Sequence, residues 1–278
     1  MNKIVGKDFK VLDKGYLKVI DVMGDDSAIV QSARVSYGKG TKTVNQDEGL
    51  IRYLIRNEHT SPLEMCEIKF LVKCPIFVAR QWFRHRTGSF NEYSARYSEV
   101  KDDFYIPDSK RLQLQSKKNK QCSGEETLEY VDSYNFINDC TLINKNFQDT
   151  YNFFNKKGLA REINRINVPV SNYTEFYWKV DLNNLLKFVK LRNHSHSQYE
   201  IREYAKIIYE VIKEWTPLTY KAFDDYIINT VKFNKREMKI LSSIIDREKV
   251  KKILKVESVD SQENKELEEK LKLLLLNN

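Results

Sequence analysis

The stretch PIFVARQWFRHRTGSFNEYSARYS, residues 75–98, decides how the rest of the chain is read. Pro75 suits the first position of a helix, where its missing N–H leaves no hydrogen bond unmade. On a helical wheel Ile76, Val78, Ala79, Trp82 and Phe83 make one broad apolar arc, and Arg80, Gln81, Arg84 and His85 fill the other. Arg80 and Arg84 stand four apart, a like-charge pair that destabilises an isolated helix slightly. An anionic ligand would reverse that sign. A lone Arg-x-x-x-Arg reads most simply as a solvated cationic face. Here, however, the chain continues through Arg86, Gly88, Ser89, Asn91, Glu92, Ser94 and Arg96, a loop rich in hydrogen-bonding groups. Arginine forks match phosphate oxygens bidentately, and glutamine or serine beside them can read a base or a sugar. These residue types favour an anionic nucleotide.

The composition sets the frame around that stretch. A chain of 278 residues suits one large domain or two small ones, and 12% aromatic with 31% charged residues fits a folded cytosolic protein. The first seven residues, MNKIVGK, contain no apolar signal-peptide core, and no run of about 18 apolar residues offers a membrane span. The expectation is a cytoplasmic protein without a membrane partner. Cys66, Cys74, Cys122 and Cys140 form no C-x-x-C pair and read as reduced core thiols. On a helix His194 and His196 would point about 200° apart, which argues against a shared metal, and none is expected. The net charge of +8 could attract nucleic acid or could reflect lysine around an anion site. No zinc-finger spacing, GxxG loop or RNP aromatic pattern accompanies it, so the second reading is preferred.

Outward from the stretch, residues 9–22 alternate around Lys14-Gly15 and read as a hairpin. Asp25 or Asp26 should cap a helix to about Ser36 with Ile29, Val30 and Ala33 inward, ended by Gly38 and Gly40. A second helix is expected over 45–57. Residues 58–64, EHTSPLE, read as a loop or a helix start, with Thr60, Ser61 and Glu64 suited to a capping box. Residues 66–73 alternate as a strand. After Ser98 an irregular segment leads through the lysine-rich 116–120, expected as a surface loop. A long amphipathic helix is expected from Glu125 to Lys156, with Leu128, Val131, Tyr134 and Ile137 on one face. Gly158 breaks it, and a short helix over 159–167 brings Arg161 and Arg165. Residues 173–180 read as a strand. Asp181 should cap a helix running to Asn193, and residues 198–215 form the cleanest helical pattern in the chain. From about Phe223 the text changes to Lys, Glu, Ile and Leu, so residues 226–278 read as a charged helical extension to a domain over 1–225.

At this point the residues resemble a known family. RHRTGS (84–89) followed by NEYSARYS (91–98) resembles the R-H-R-x-x-S-x-x-x-x-S-x-R pattern of flavin-dependent thymidylate synthases. QSARVS (31–36), HTSPLE (59–64), RINVP (165–169) with Tyr173-Thr174, and Leu191-Arg192 with His196 and Gln198 are similar to further segments of that family, in the same order. The resemblance covers roughly residues 9–225. It implies a mixed α/β (α+β) fold with a central antiparallel or mixed sheet flanked by long helices. It also implies a homotetramer with active sites where subunits meet. The reaction implied is reductive methylation of dUMP to dTMP, with methylenetetrahydrofolate as carbon donor, NADPH as reductant and FAD as redox carrier, and no cysteine nucleophile on the enzyme.

Residue by residue, the resemblance implies that Gln81, Arg84, Glu92, Ser94, Ala95, Arg96, Arg165 and Arg192 hold dUMP, with Arg96 and Arg165 on the phosphate. Arg192 is implied to sit against the uracil and favour its ionised N3. Ser36, His59, Ser61, Glu64, Arg84, His85, Arg86, Thr87 and Glu92 are implied to contact FAD. Ser94 between Glu92 and Arg96 could be drawn as a nucleophile, but activation needs a positioned base, and the resemblance implies a binding role. The chain departs from the family's flavin contacts at Asp181, Asn183 and Lys187, and Ala95 stands where glycine is common. A basic nucleotide- or RNA-binding protein without turnover, and a flavoenzyme for another pyrimidine, are the readings set against the synthase.

Overall fold

The computed structural model describes residues 3–35, 44–117, 120, 122–246, 248, 249, 252 and 261–276. It divides into two compact units, Met1–Phe223 and Asp224–Asn278.

A five-stranded antiparallel sheet organises the first unit, built from β1 (Asp8–Val11), β2 (Gly15–Met23), β3 (Glu67–Pro75), β4 (Ser89–Glu92) and β7 (Tyr173–Asp181) in the order β1-β2-β3-β7-β4. The hairpin read at 9–22 is β1–β2. Gly15 follows its turn because a Cβ there would stand 2.1 Å from the Tyr204 hydroxyl, which donates to the Lys73 carbonyl at 2.6 Å. β3 buries every second residue, Ile68, Phe70, Val72 and Cys74, and pairs along its whole length with β7. α1 (Asp26–Val35) and α2 (Val44–Arg56) follow the hairpin, and Asp25 caps α1 by accepting from the Ser27 and Ala28 amides. Ile29 and Val30 are buried and Ala33 is half-buried. Ser36, Gly38 and Gly40 lie outside the described residues.

Four sequence expectations need correction. The helix begun at Pro75, α3 (Ile76–Trp82), ends well before His85, and Pro75 is its cap rather than its first residue. The segment read as loop after it contains β4, an edge strand paired to β7 with Phe90 opposite Trp178. The hydrogen-bonding side chains hid it, because at an edge they face solvent rather than an apolar layer. Thr60 stands at the cap position of a 3-10 turn, Ser61–Met65, but its side chain makes no capping bond, and Pro62 sits in the first turn. The long helix α4 (Tyr130–Lys156) begins later than expected. Residues Ser123–Thr127 (β6) instead pair with Gln113–Gln115 (β5) in a small hairpin flanking the lysine-rich segment. Lys118 and Asn119 of that segment, and Gln121 just after it, lie outside the described residues.

α4 also presents an unexpected face. Its buried positions are Ser133, Asn144, Gln148 and Tyr151, whereas Tyr130, Val131, Tyr134, Phe136, Leu142 and Ile143 are exposed. Gly158, at φ +80°, follows it, then α5 (Arg161–Asn164), α6 (Leu182–Arg192), α7 (Tyr199–Trp215) and α8 (Pro217–Phe223). The core behind the sheet is aromatic. Trp82, fully buried, meets Phe188 at 4.8 Å, Trp178 at 5.3 Å, and Phe176 and Tyr204 at 5.6 Å between ring centres. Aromatic contacts of this kind, edge-to-face for all but the tilted Phe188 pair, add to the burial energy and fix ring orientation. The second unit carries α9 (Lys235–Ile244), opened by a capping box between Asn234 and Glu237, and α10 (Ser261–Leu276). No described helix is long and apolar enough to cross a membrane.

Candidate active site

Two groups of the residues singled out in the sequence come together. In the first, the end of α6 meets the end of α3. Arg192, the last residue of α6, donates from Nε to His85 Nε2 at 2.9 Å and from Nη2 to the Gln81 carbonyl at 3.2 Å. The Gln81 side chain donates in turn to Gln198, which caps α7. The His85 ring stands edge-on to Phe188 at 4.8 Å. Burial first, and the Arg192 charge second, push the His85 pKa down to about 4. Burial also lowers that of Arg192, but a guanidinium keeps its proton at neutral pH.

In the second group, β4 runs into a tight turn. Ser98 N bonds to the Ser94 carbonyl at 3.0 Å, and Ser94 Oγ accepts from the Arg96 amide at 3.3 Å. Ser94 Oγ is thus engaged by the turn, and among the described residues no hydrogen bond joins it to a base. Glu92 accepts from Thr174 Oγ1 on β7 at 2.8 Å, which ties the start of the turn to the sheet. α5 packs over it: Arg161 donates to the Tyr97 carbonyl at 2.9 Å, and Glu162 faces Arg96 at 3.9 Å. Arg165 caps the end of α5. Among the described residues no hydrogen bond or ion pair joins this group to the Arg192 corner.

Between the two lies the turn Arg84–Gly88. Arg84, Arg86 and Thr87 are exposed, and no carboxylate pairs with Arg80, Arg84, Arg86 or Arg165 among the described residues. Gly88 takes φ +151°, and a Cβ there would lie 2.9 Å from Trp178 Nε1, so the turn presses against the core. The other expected flavin contacts sit on the α2–β3 connection. His59 meets the Tyr53 ring edge-on at 5.5 Å, Ser61 is exposed, and Glu64 accepts from Asn183 at 2.9 Å. Ser36 is outside the described residues. Sequence reading missed Phe188 and Glu162 as supports. Phe188 was legible as an inward position of α6, but nothing in spacing tied it to His85.

The chain matches the family described as thymidylate synthase complementing protein over residues 18–218. It is 51% identical to the flavin-dependent thymidylate synthase of Wolbachia pipientis wMel over 255 residues, covering 90% of this chain and 88% of that one. The corresponding protein of Rickettsia bellii (strain RML369-C) is 45% identical over 265 residues, covering 90% and 89%. This chain belongs to the flavin-dependent thymidylate synthase family. A solved structure of the UMP/dUMP methylase PolB from Streptomyces cacaoi, bound with 5-Br dUMP, is similar at 33% identity and TM-score 0.71, covering 79% of this chain and 98% of that one. A second structure of that methylase, bound with 5-Br UMP, aligns at TM-score 0.70.

For a flavin-dependent thymidylate synthase the donor set fits the flavin dinucleotide. Its diphosphate calls for guanidinium and hydroxyl donors free of acidic partners, which the exposed Arg84, Arg86 and Thr87 would supply. Asp181, whose carboxylate would repel phosphate, is engaged elsewhere: it caps α6 by accepting from the Asn184 amide at 2.9 Å and side chain at 2.7 Å. Lys187 is exposed. Cys66 and Cys74 are buried, with the Cys66 thiol pushed up to about 12 by burial; Cys122 and Cys140 are only half-buried, so the expectation of four core thiols holds for two. Among the described residues no cluster of metal-ligating side chains occurs.

Proposed function

We propose that the chain catalyses the reductive methylation of dUMP to dTMP, with methylenetetrahydrofolate as carbon donor and NADPH as reductant. FAD, when bound, would carry the reducing equivalents between them. The observation that carries this reading is the Arg192 corner. A half-buried guanidinium, oriented by two hydrogen bonds beside Gln81, suits an anionic uracil edge: it stays charged and favours the ring ionised at N3, which makes the ring more nucleophilic. Gln81 and Arg84 would hold the base side. Ser94, the Ala95 amide, Arg96 and Arg165 would hold sugar and phosphate, with Glu92 fixed by Thr174 at the start of that turn. Arg84, His85, Arg86, Thr87 and Glu92, with Ser36, His59, Ser61 and Glu64, would line the flavin. A thiol nucleophile has little support, since burial raises the Cys66 and Cys74 thiols out of the thiolate range.

The base-side and phosphate-side residues form separate groups in one chain, and α4 leaves a run of large apolar side chains exposed. Both support a homotetramer whose sites are completed across subunits. Light scattering should give four copies; a monomer contradicts this. The residues over 1–225 would form the synthase domain and 226–278 a charged helical extension. The protein would work in the cytoplasm, without membrane or nucleic acid.

The first test is the visible spectrum of the purified protein, followed by NADPH oxidation with and without dUMP. A flavin spectrum and dUMP-stimulated oxidation support the proposal. A protein that takes up no added FAD refutes it. Because a similar structure holds 5-Br UMP, UMP in place of dUMP tests the neighbouring reading; turnover with UMP alone would reassign the substrate.

A further inference from the structure

We propose that His85 is a positioning residue for Arg192: its neutral imidazole, carrying its proton on Nδ1, accepts the Arg192 Nε–H and fixes the plane of the guanidinium. The resemblance gives His85 only a flavin contact, so this is a second task for the side chain. It deepens the function proposed above and rests on it.

The tautomer follows from the donor. A guanidinium has five N–H groups and no acceptor, so a bond from Arg192 Nε to His85 Nε2 at 2.9 Å requires a lone pair on Nε2. The neutral ring then has its proton on Nδ1. The ring itself is held edge-on by Phe188 at 4.8 Å, on the same helix one turn before Arg192. A planar group held by one bond can swing about it. The second bond, from Nη2 to the Gln81 carbonyl at 3.2 Å, removes that freedom. Two of the five donors are spent and three remain, on the Nη1 and Nη2 edge, for an anionic pyrimidine. A protonated His85 would reverse all of this, since it offers no acceptor at Nε2 and places a second cation against the first. Burial and the Arg192 charge both hold the ring neutral.

The test uses two variants of the full chain with flavin bound. His85→Phe keeps the ring volume and the Phe188 contact and removes the acceptor. His85→Gln keeps an acceptor on a side chain of similar reach. A catalytic group displaced by about 1 Å costs roughly 100-fold in rate. His85→Phe should therefore lower kcat about 100-fold, with the dUMP KM and the bound flavin changed far less, and His85→Gln should regain much of the loss. Full activity in His85→Phe overturns the proposal. So does an equal loss in both variants, or flavin lost in step with turnover. If His85→Phe does not fold, 15N NMR of the imidazoles in the unmutated protein decides, since the chain has only four histidines. A bare Nε2 on His85 supports the pairing, and a protonated Nε2 overturns it. Absence of dUMP turnover in the unmutated protein would refute the proposed function instead, and the NMR readout would still judge the pairing.

Discussion

The Arg192 corner and the Arg96 turn, proposed above for opposite ends of one ligand, both rest on an arginine and are built differently. Arg192 is half-buried and its guanidinium is already bonded to a neutral imidazole and a carbonyl. Arg96 is exposed, and its partners are Glu162 at 3.9 Å and the Tyr97 ring at 6.0 Å. An exposed ion pair at that distance contributes little. Chemistry is demanding of orientation, and the chain supplies it in advance at the corner. Phosphate binding is more tolerant of orientation, and an exposed arginine would suffice for the role proposed there.

The sharpest way to break this contrast is Arg192→Ala. Turnover should fall by roughly two to three orders of magnitude, as for loss of a preorganised charge-stabilising donor, while flavin absorbance is kept; full activity would refute the role. Arg96→Ala should act on the other axis. Loss of a charged hydrogen bond of about 1.5–3 kcal/mol predicts a dUMP KM raised about 10- to 100-fold with kcat nearly unchanged; a kcat collapse would mean the turn orients the reacting ring. Acid separates the two regions without mutation. The folded His85 pKa, about 4, lies below the ordinary value near 6.5. The unfolded chain therefore binds the extra proton first. Stability from this group is present above about pH 6.5 and is lost as pH falls toward 4. Thermal melts across that window should show the loss, and His85→Gln should flatten it. The smallest effect is expected at Asp181→Ala, which removes the α6 cap for about 1 kcal/mol and shifts Tm by a few degrees with flavin affinity unchanged. Tighter FAD binding in that variant would mean the carboxylate faces the cofactor after all.

How legible each region was follows from how local its causes are. The β1–β2 hairpin, α6 with its Asp181 cap, and α7 rest on periodicity and caps within their own residues. β4 did not show, because its four residues lack alternation and its partner begins at Tyr173, far along the chain. The end of α3 was overrun for a related reason: the apolar arc continues to Phe83, but the chain must turn at Gly88 to reach β7. The apolar face of α4 was legible as a face, but not as one left exposed by its own chain. Within the site, residue types pointed to an anionic nucleotide. The pairing of His85 with Arg192 joins residues 107 apart and no spacing rule reaches it.

The press of Gly88 on Trp178 makes the protein its own optical probe. Of three tryptophans, Trp82 and Trp178 meet edge-to-face behind the Arg84–Gly88 turn, and neither indole N–H has a hydrogen-bond partner among the described residues. The third, Trp215, donates to the Gly24 carbonyl at 2.9 Å. Any ligand that shifts the turn must move matter against the Trp178 indole, whose N–H has no hydrogen-bond partner among the described residues. Intrinsic fluorescence should therefore register occupancy at the arginine turn with no label attached, and Gly88→Ala should alter the signal before any ligand arrives.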